Sequence, residues 1–142
     1  MYSTNEHTAQ EKSKSLVAQN KCYELLYDHS TNRLYLTIKG FWKNNDVAPK
    51  YLGDLRKAID LTSPGFSLLL DMSTMITHPQ SVMTLHVEAQ KLLVKAGLKV
   101  AASVEPSDYI ATLQIEDMAS QSHMPLTRFA SYAEAETWIN NQ

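Results

Sequence analysis

The sequence is poor in cysteine and glycine, and it has no block of basic residues. Cys22 is the single cysteine among 142 residues, which excludes an internal disulfide framework and is typical of a reducing compartment. The four glycines are too dispersed to form a loop that cradles phosphate. The formal net charge is −2. Without a cluster of Lys and Arg, the chain lacks the basic stripe that is typical of nucleic-acid-binding proteins.

Long apolar runs are also missing. No stretch approaches the roughly 20 apolar residues that a membrane-spanning helix needs. Residues 1–20 are rich in Ser, Thr, Gln, Glu and Lys and lack the apolar centre of a signal peptide. We therefore expect a flexible polar N-terminal arm over residues 1–20, a single domain over residues 21–142, and a cytoplasmic location.

The most informative stretch is the apolar run Phe66–Leu70, which lies between Pro64-Gly65 and Asp71. Such a short, continuous run is typical of a strand that is buried on both faces. A long amphipathic helix follows it and ends at Gly97, and Leu98–Val104 has the composition of another strand. A β-α-β unit normally joins parallel neighbours, so the run is expected to be an inner strand of a parallel sheet.

The rest of the chain extends this pattern. A hairpin is predicted before the β-α-β unit, and further helices and a last strand are predicted around it. The predicted order is ββαβαβαβα, which indicates an α/β domain with a mixed sheet of about five strands and about four helices. The predicted elements are a hairpin of Tyr23–Asp28 and Arg33–Gly40, a helix from about Val47 to Leu61, a helix from Pro106 to about Ser120, a strand Leu126–Phe129 and a helix capped by Ser131.

The start of the helix that follows the apolar strand has two possible caps. Thr77 and Gln80 have the spacing of a capping box, in which the Thr77 hydroxyl would bind the backbone of Gln80. Ser81 is a competing cap that would start the helix four residues later. We expect the helix to begin at Thr77.

Three loops should meet where the parallel strands end, because ligands and partners usually bind at that edge. These loops are Phe41–Asn45, Asp71–Ser81 and Glu105–Asp108. They supply many hydroxyl groups, one acid and one imidazole. The residues predicted to form a partner-binding or ligand-binding surface there are Trp42, Asp71, Ser73, Thr77, His78 and Ser81.

The sequence contains no motif for catalysis or for a metal. A triad of Asp71, His78 and either Ser73 or Ser81 would need a G-x-S-x-G elbow and a glycine-lined oxyanion loop, and neither is present. The five histidines are scattered, and no two have the spacing of metal ligands on a helix. We therefore expect a non-enzymatic protein with no cofactor and no metal.

The predicted helix after the apolar strand has a second apolar stripe opposite its core side. It consists of Met83, Val87 and Val94. This stripe is a candidate interface with another subunit, with another element of the chain or with a partner protein.

The segment Leu69-Leu70-Asp71-Met72-Ser73 resembles the SpoIIAA-like or STAS domains of anti-sigma-factor antagonists, in which an apolar strand ends in Asp-x-Ser. The family's second motif, Asp-Ser-Ser/Thr-Gly, is lost here, because the matching stretch is Pro79-Gln80-Ser81-Val82. Ser81 lies where the family carries its phosphorylated hydroxyl, and the resemblance implies that Ser81 is a candidate phosphorylation site.

Three further segments are similar to an uncharacterised bacterial branch of STAS/SEC14-like proteins: Lys39-Gly40-Phe41-Trp42, Pro106–Met118 and Ser131–Trp138. The resemblance implies a bacterial cytoplasmic protein. The leading hypothesis is a regulatory or protein-interaction domain that forms a homodimer or binds a regulatory protein partner through the Asp71–Ser81 loop and the stripe of Met83, Val87 and Val94. The alternative is binding of a small apolar ligand or lipid. The side chains expected to line such a cavity are Phe41, Trp42, Met72, Met75 and Tyr109.

Overall fold

The strands follow one another across a single six-stranded sheet in the same order as in the chain. The computed structural model describes residues 13–142. The strands are β1 (Lys14–Gln19), β2 (Tyr23–Asp28), β3 (Arg33–Ile38), β4 (Ser67–Asp71), β5 (Val100–Val104) and β6 (Leu126–Phe129). The helices are α1 (Ala48–Leu61), α2 (Gln80–Lys95), α3 (Tyr109–Ser122) and α4 (Tyr132–Asn140), with a short 3-10 turn at Asn45–Val47 before α1.

The apolar strand β4 is an inner strand, as the sequence predicts. It pairs in parallel with β3 on one side and with β5 on the other, and β6 extends the parallel part. β2 and β3 form the predicted antiparallel hairpin. The sheet is therefore mixed, antiparallel at its start and parallel from β3 onwards.

The prediction of a polar arm is wrong for residues 14–19. These residues form β1, which pairs antiparallel with β2 and has an irregular register between Leu16 and Ala18. Val17 and Ala18 pack against the core, while Ser15 and Gln19 are exposed on this edge strand. An edge strand is partly exposed to solvent and therefore needs few apolar residues. Its composition is for this reason similar to that of a flexible polar segment. Residues 1–12 of the predicted arm lie outside the described residues.

The two faces of the sheet are covered unequally. On the face that we call the front, α1, α2 and α3 pack over alternate residues of the strands, including Leu36, Leu68 and Leu70. On the back face, α4 packs Ala135 and Ile139 over a smaller cluster that contains Tyr35, Leu69, Ala102 and Val104. Along residues 13–142, no helix combines the length and the apolar character that crossing a bilayer requires.

Helix α2 does not start at the predicted cap. It begins at Gln80, and its N-cap residue is Pro79, which has no side chain that could bind the backbone. The Thr77 hydroxyl instead donates to Oδ2 of Asp108, 2.9 Å away. A carboxylate is a stronger acceptor than the neutral groups nearby. The Thr77 hydroxyl therefore binds Asp108, 31 positions further along the chain, and does not cap α2. Ser81 is the second residue of α2.

The second apolar stripe of α2 is not a free surface. Met83 and Val87 are buried in the front core, and Val94 is partly buried against it. Helix α3 packs along this side of α2 and covers the stripe. The prediction of an interface with a separate molecule is therefore wrong for Met83 and Val87, and the covering partner is another element of the same chain.

Candidate functional site

The three predicted loops meet at the carboxyl edge of the parallel strands, and hydrogen bonds join them. The backbone N–H of Ile76 donates to the carbonyl of Gly40 over 3.1 Å, which connects the loop after β4 to the end of β3. The Gln114 side chain on α3 binds both backbone groups of His78, with distances of 2.9 Å to its N–H and 2.8 Å to its carbonyl. We call this joined set of loops the rim.

Asp108 fastens the rim to the start of α3. Its Oδ1 accepts from the backbone N–H groups of Ile110 and Ala111, which caps the helix. Its Oδ2 accepts from both the backbone N–H and the hydroxyl of Thr77, each over 2.9 Å. These hydrogen bonds from Thr77 are the main reason that the pKa of the Asp108 carboxyl lies below its usual value. The carboxylate is therefore the form that holds the two loops together.

His78 lies beneath the rim and is buried. Its Nε2 is 3.0 Å from the carbonyl oxygen of Gly40, and its Nδ1 is 3.2 Å from Nε2 of His86. A carbonyl can only accept, so Nε2 of His78 carries the proton, and Nδ1 of His78 then accepts from Nε2–H of His86. With these hydrogens the His78 ring is neutral, because its Nδ1 acts as an acceptor.

Burial explains why neither histidine is charged. Desolvation lowers the pKa of His78, and the hydrogen bond to Gly40 opposes this only in part. For His86, burial and then the proximity of His78 lower the pKa to about 3. An ordinary histidine has a pKa near 6.5, so both imidazoles are neutral at neutral pH.

Trp42 was predicted at the surface of the rim, and the structure instead buries it. The indole stacks on His78 with ring centroids 5.5 Å apart and lies 4.7 Å from the ring of His86. It meets the Tyr51 ring edge-on at 5.1 Å, and its Nε1 donates to the carbonyl of Cys22. Trp42 therefore supports the rim from below and cannot contact a partner directly.

The acid and the hydroxyls of the predicted site do not form a catalytic triad. Asp71 follows Leu69 on the back face of β4, whereas His78 packs among the front-face side chains. The Asp71 carboxylate accepts from the backbone N–H of Ser73 over 3.0 Å. Both ring nitrogens of His78 are already engaged, and Ser81 is exposed on α2. The predicted residues are thus brought to one end of the sheet but point in different directions.

The rim carries an exposed apolar surface that the sequence analysis did not identify. Its side chains are between 42 % and 71 % exposed. We call this surface the rim patch, and it consists of Phe41, Ile76, Tyr109, Ile110 and Leu113. These are five of the eight exposed large apolar side chains in the described part of the chain. The signal in the sequence was the irregular apolar pattern of α3, whose first turns place Tyr109, Ile110 and Leu113 on the solvent side.

The charges around the rim patch are mostly negative. The three loops together with α3 carry five carboxylates, namely Asp71, Glu105, Asp108, Glu116 and Asp117, and one lysine, Lys43. Arg128 on β6 reaches two of them, with its Nη1 3.1 Å from Oε1 of Glu105 and in contact with Glu116. Carboxylates therefore outnumber cations on the three loops and α3.

Ser81 lies away from the rim patch, in an open groove of about 350 Å³ between α1 and α2. The groove is lined by Asn45, Pro49, Leu52, Arg56, Ser81, Thr84, Leu85 and Glu88. Ser81 is in the first turn of α2, where the positive end of the helix dipole favours an anion.

The cavity on the front side of the core is too small for a lipid. The enclosed cavity on the front side has a volume of about 20 Å³, which is enough for one water molecule. Met72 and Met75 line it, as the hypothesis of an apolar ligand requires, but Phe41 and Tyr109 lie on the surface instead. Residues 13–142 also bring together no group of side chains that could hold a metal ion.

No protein-family model matches the sequence, and neither does any curated protein. Several solved structures do match the fold. An uncharacterised protein of the DUF3478 family with a SpoIIAA-like fold, from Shewanella loihica, is 12% identical with a TM-score of 0.58 over 85% of this chain and 96% of that chain. An anti-sigma factor antagonist from Mycobacterium paratuberculosis is 12% identical with a TM-score of 0.55, over 87% of this chain and 98% of that chain.

A third match comes from the complex of the diguanylate cyclase SiaD with its activator SiaC from Pseudomonas aeruginosa. It is 12% identical with a TM-score of 0.52, and covers 80% of this chain and 97% of that chain. At such low identity, the likeness shows the fold and not the activity. The β-hairpin, the inner parallel strand β4 and the helices on both faces agree with that likeness. The chain has an α/β fold of the SpoIIAA-like type.

Proposed function

We propose that the chain is a non-enzymatic regulatory module that binds a protein partner at the rim patch. The observation that carries this proposal is the concentration of exposed apolar side chains on loops that are held by hydrogen bonds. Contiguous exposed apolar surface on a folded domain usually marks an interaction site. The predicted loop residues Thr77 and His78 contribute by fixing the loops rather than by touching the partner.

The bracing of the rim favours binding. Ordering a loop upon association costs conformational entropy. The hydrogen bonds that Thr77 donates to Asp108, and that Gln114 forms with His78, already order these loops in the free protein. Phe41 and Tyr109 are the expected anchors, because aromatic side chains at the centre of an interface carry much of the binding energy.

The excess of carboxylates on the loops and α3 favours one kind of partner. A partner segment with apolar side chains flanked by Lys or Arg would complement both the rim patch and its carboxylates. A symmetric homodimer through the rim would instead bring carboxylates of one copy against those of the other. We therefore assign the rim patch to a different protein, and not to a second copy of this chain.

The similar structures are consistent with this class of function. One of them is described as an anti-sigma factor antagonist, and another as the activator SiaC in complex with the diguanylate cyclase SiaD. Both descriptions concern proteins that act through another protein. They support a regulatory role for proteins of this fold. Which partner this chain binds depends on the side chains of its own rim.

Regulation by phosphorylation at Ser81 is part of the proposal. The hydroxyl is exposed in the first turn of α2, and Arg56 lines the same groove. A phosphate there would gain from the helix dipole and from the guanidinium group of Arg56. If the groove modulates binding, a Ser81→Asp variant will change partner affinity while Ser81→Ala retains that of the wild type, and equal affinities for both variants would argue against this regulatory role.

The main experiment measures binding of the rim. Partners captured by the purified chain are identified by cross-linking and mass spectrometry, and the affinity of the purified partner is then measured by calorimetry. We expect a Tyr109→Ser/Ile110→Ser double variant to bind at least tenfold more weakly. The control is Leu61→Ser, which removes a similarly exposed apolar side chain at the end of α1.

Two results would contradict the proposal. One is an affinity of the rim variant equal to that of the control, provided that circular dichroism shows both to be folded. The other is cross-links that connect the rim to the rim of a second copy, together with a dimeric mass that the rim variant reduces to that of a monomer.

A further inference from the structure

The back face of the sheet carries an open groove beside α4. This helix contacts mainly β4, β5 and β6, and the groove lies between its first residue, Tyr132, and the first four strands. The groove has a volume of about 160 Å³ and is lined by Lys14, Glu24, Leu26, Tyr35, Leu36, Thr37, Leu69, Asp71 and Tyr132. Pockets for drug-sized molecules have roughly 300–1,000 Å³, so this groove suits a smaller ligand.

The strand register places opposite charges at two levels of the groove. Glu24, Thr37 and Asp71 are paired across β2, β3 and β4, so the two carboxylates belong to one row of the back face. Tyr35 belongs to the next row, two residues nearer the start of β3. The ammonium of Lys14 lies over the Tyr35 ring, 4.2 Å from its centroid. Two residues of a strand span about 7 Å, which is the approximate separation of the ammonium from the row of carboxylates.

These opposite charges are not paired with one another. Among residues 13–142, the ion pairs involve neither Lys14 nor Glu24 nor Asp71. The Glu24 carboxylate accepts a hydrogen bond from the Gln19 side chain, and Asp71 accepts one from the backbone N–H of Ser73. A carboxylate has about four acceptor positions, so both can bind a further donor. The groove can therefore hold a cation at one level and an anion at the other.

The surface between the two charged levels is aromatic and apolar. Tyr35 and Leu69 are members of the buried back cluster and form the floor of the groove. Burial, then Glu136 and Tyr35, and then Asp71 raise the pKa of Tyr132 to about 12. The Asp71 carboxylate is therefore close enough to act on Tyr132, the residue that α4 contributes to the groove.

We propose that this groove binds a dipeptide in its zwitterionic form. The ammonium of the ligand lies between Glu24 and Asp71, its carboxylate pairs with Lys14, and its chain packs on Tyr35 and Leu69. Two extended residues span at most about 7 Å, which matches the separation of the charged levels, whereas a single amino acid spans about half of that. A purely apolar ligand would leave the charges unpaired, and a simple anion or cation would engage only one level.

The test is an NMR titration of the full chain with the dipeptide alanyl-leucine and two blocked forms of it. N-acetyl-alanyl-leucine lacks the ammonium, and alanyl-leucine amide lacks the carboxylate. We expect alanyl-leucine to shift the backbone amide signals of β2, β3 and the start of α4. Each blocked form should bind about two- to fivefold more weakly, which is the effect of losing one solvent-exposed ion pair.

Two variants assign the two charged levels of the groove. Glu24→Gln should weaken alanyl-leucine about two- to fivefold but leave the affinity of the N-acetylated form unchanged, because that form has no ammonium. Lys14→Gln should weaken alanyl-leucine to a similar extent but leave the affinity of the amide form unchanged. Lys95→Gln, at an exposed position on α2, is the control and should alter none of the three affinities.

Three results would overturn the proposal. One is the absence of shifts in β2 and β3 at millimolar alanyl-leucine, and another is an equal affinity of the free and the blocked dipeptides. The third is a Glu24→Gln variant that binds all three ligands as the wild type does. The rim patch takes no part in these measurements, so they test the groove separately from partner binding at the rim.

Discussion

The imidazole rings of His78 and His86 lie stacked in the core, with centroids 5.3 Å apart, an interplanar angle of 20° and Nδ1 of His78 facing Nε2 of His86 at 3.2 Å. One ring belongs to the rim loop and the other to the middle of α2. The pair therefore links the exposed end of the sheet to the front core. Its hydrogen bond requires that Nδ1 of His78 carries no proton.

This pair makes stability depend on pH in a defined direction. Burial lowers the pKa of both rings in the folded state, that of His86 to about 3. The unfolded chain therefore binds more protons below about pH 6.5, and stability is lost progressively as pH falls from 6.5 towards 3. We expect the urea midpoint to be constant above pH 7 and to decrease between pH 6.5 and 4.5.

A His86→Leu variant is the control for this prediction. It should be less stable at pH 7, because His78 loses its hydrogen-bond partner, but its midpoint should change less with pH over the same range. A wild-type midpoint that stays level down to pH 4.5 would show that the two imidazoles are not held neutral by the fold.

Arg33 fastens α4 to the back of the sheet. Its buried guanidinium donates to the Ser67 hydroxyl over 3.0 Å, to the Asn140 side chain over 2.7 Å and to the Ile139 carbonyl over 3.4 Å. Arg33→Met should lower the free energy of unfolding by about 2–3 kcal/mol, because hydrogen bonds from a charged group are lost. Arg33→Lys should restore little, since an ammonium lacks the planar fork of donors.

The measurement for Arg33 is urea unfolding combined with amide hydrogen exchange. Exchange should accelerate mainly in α4. Arg56→Met, at an exposed position on α1, is the matched control and should change neither quantity appreciably. Uniform acceleration over all the strands would contradict a local role for Arg33.

Alanine substitutions at two glycines should change the stability in opposite directions. Gly97 has a φ of +102°, and a Cβ at this position would lie 3.1 Å from both Cα and Cβ of Pro64. Gly97→Ala should therefore destabilise the protein by about 1–3 kcal/mol. Gly53 lies within α1 with nothing within 4 Å of the added Cβ, so Gly53→Ala should stabilise it by about 0.5–1 kcal/mol. Thermal unfolding of the two variants checks both signs, and a stabilised Gly97→Ala protein would contradict the prediction.

The bond between Asp108 and Thr77 should control the order of the rim. Asp108→Ala removes both the cap of α3 and the acceptor for Thr77, so we expect a lower melting temperature and faster exchange of the Thr77 amide. Thr77→Val removes only the hydroxyl bond and should have the smaller effect. If the two variants are equally destabilised, the hydrogen bonds by which Asp108 caps α3 contribute nothing measurable to stability.

Much of the fold follows from local pattern in the sequence. The apolar run of β4 predicts an inner parallel strand, and the alternation in β3 predicts the hairpin. The Asp-x-Ser segment that begins at Asp71 points to the SpoIIAA-like fold, which the similar structures share. These features could be predicted because side-chain periodicity and backbone sterics act over a few neighbouring residues.

The sequence alone could not determine which residues, distant along the chain, contact each other. Trp42 packs in the core against His78, His86 and Tyr51. Thr77 donates to Asp108, which lies 31 positions further along the chain. Met83 and Val87 are buried in the front core, where α3 packs against α2. Each of these residues has a locally plausible alternative: surface exposure, helix capping or a free interface. The tertiary structure decided among them because burial and hydrogen bonding depend on which groups packing brings together, and separation along the chain does not specify that.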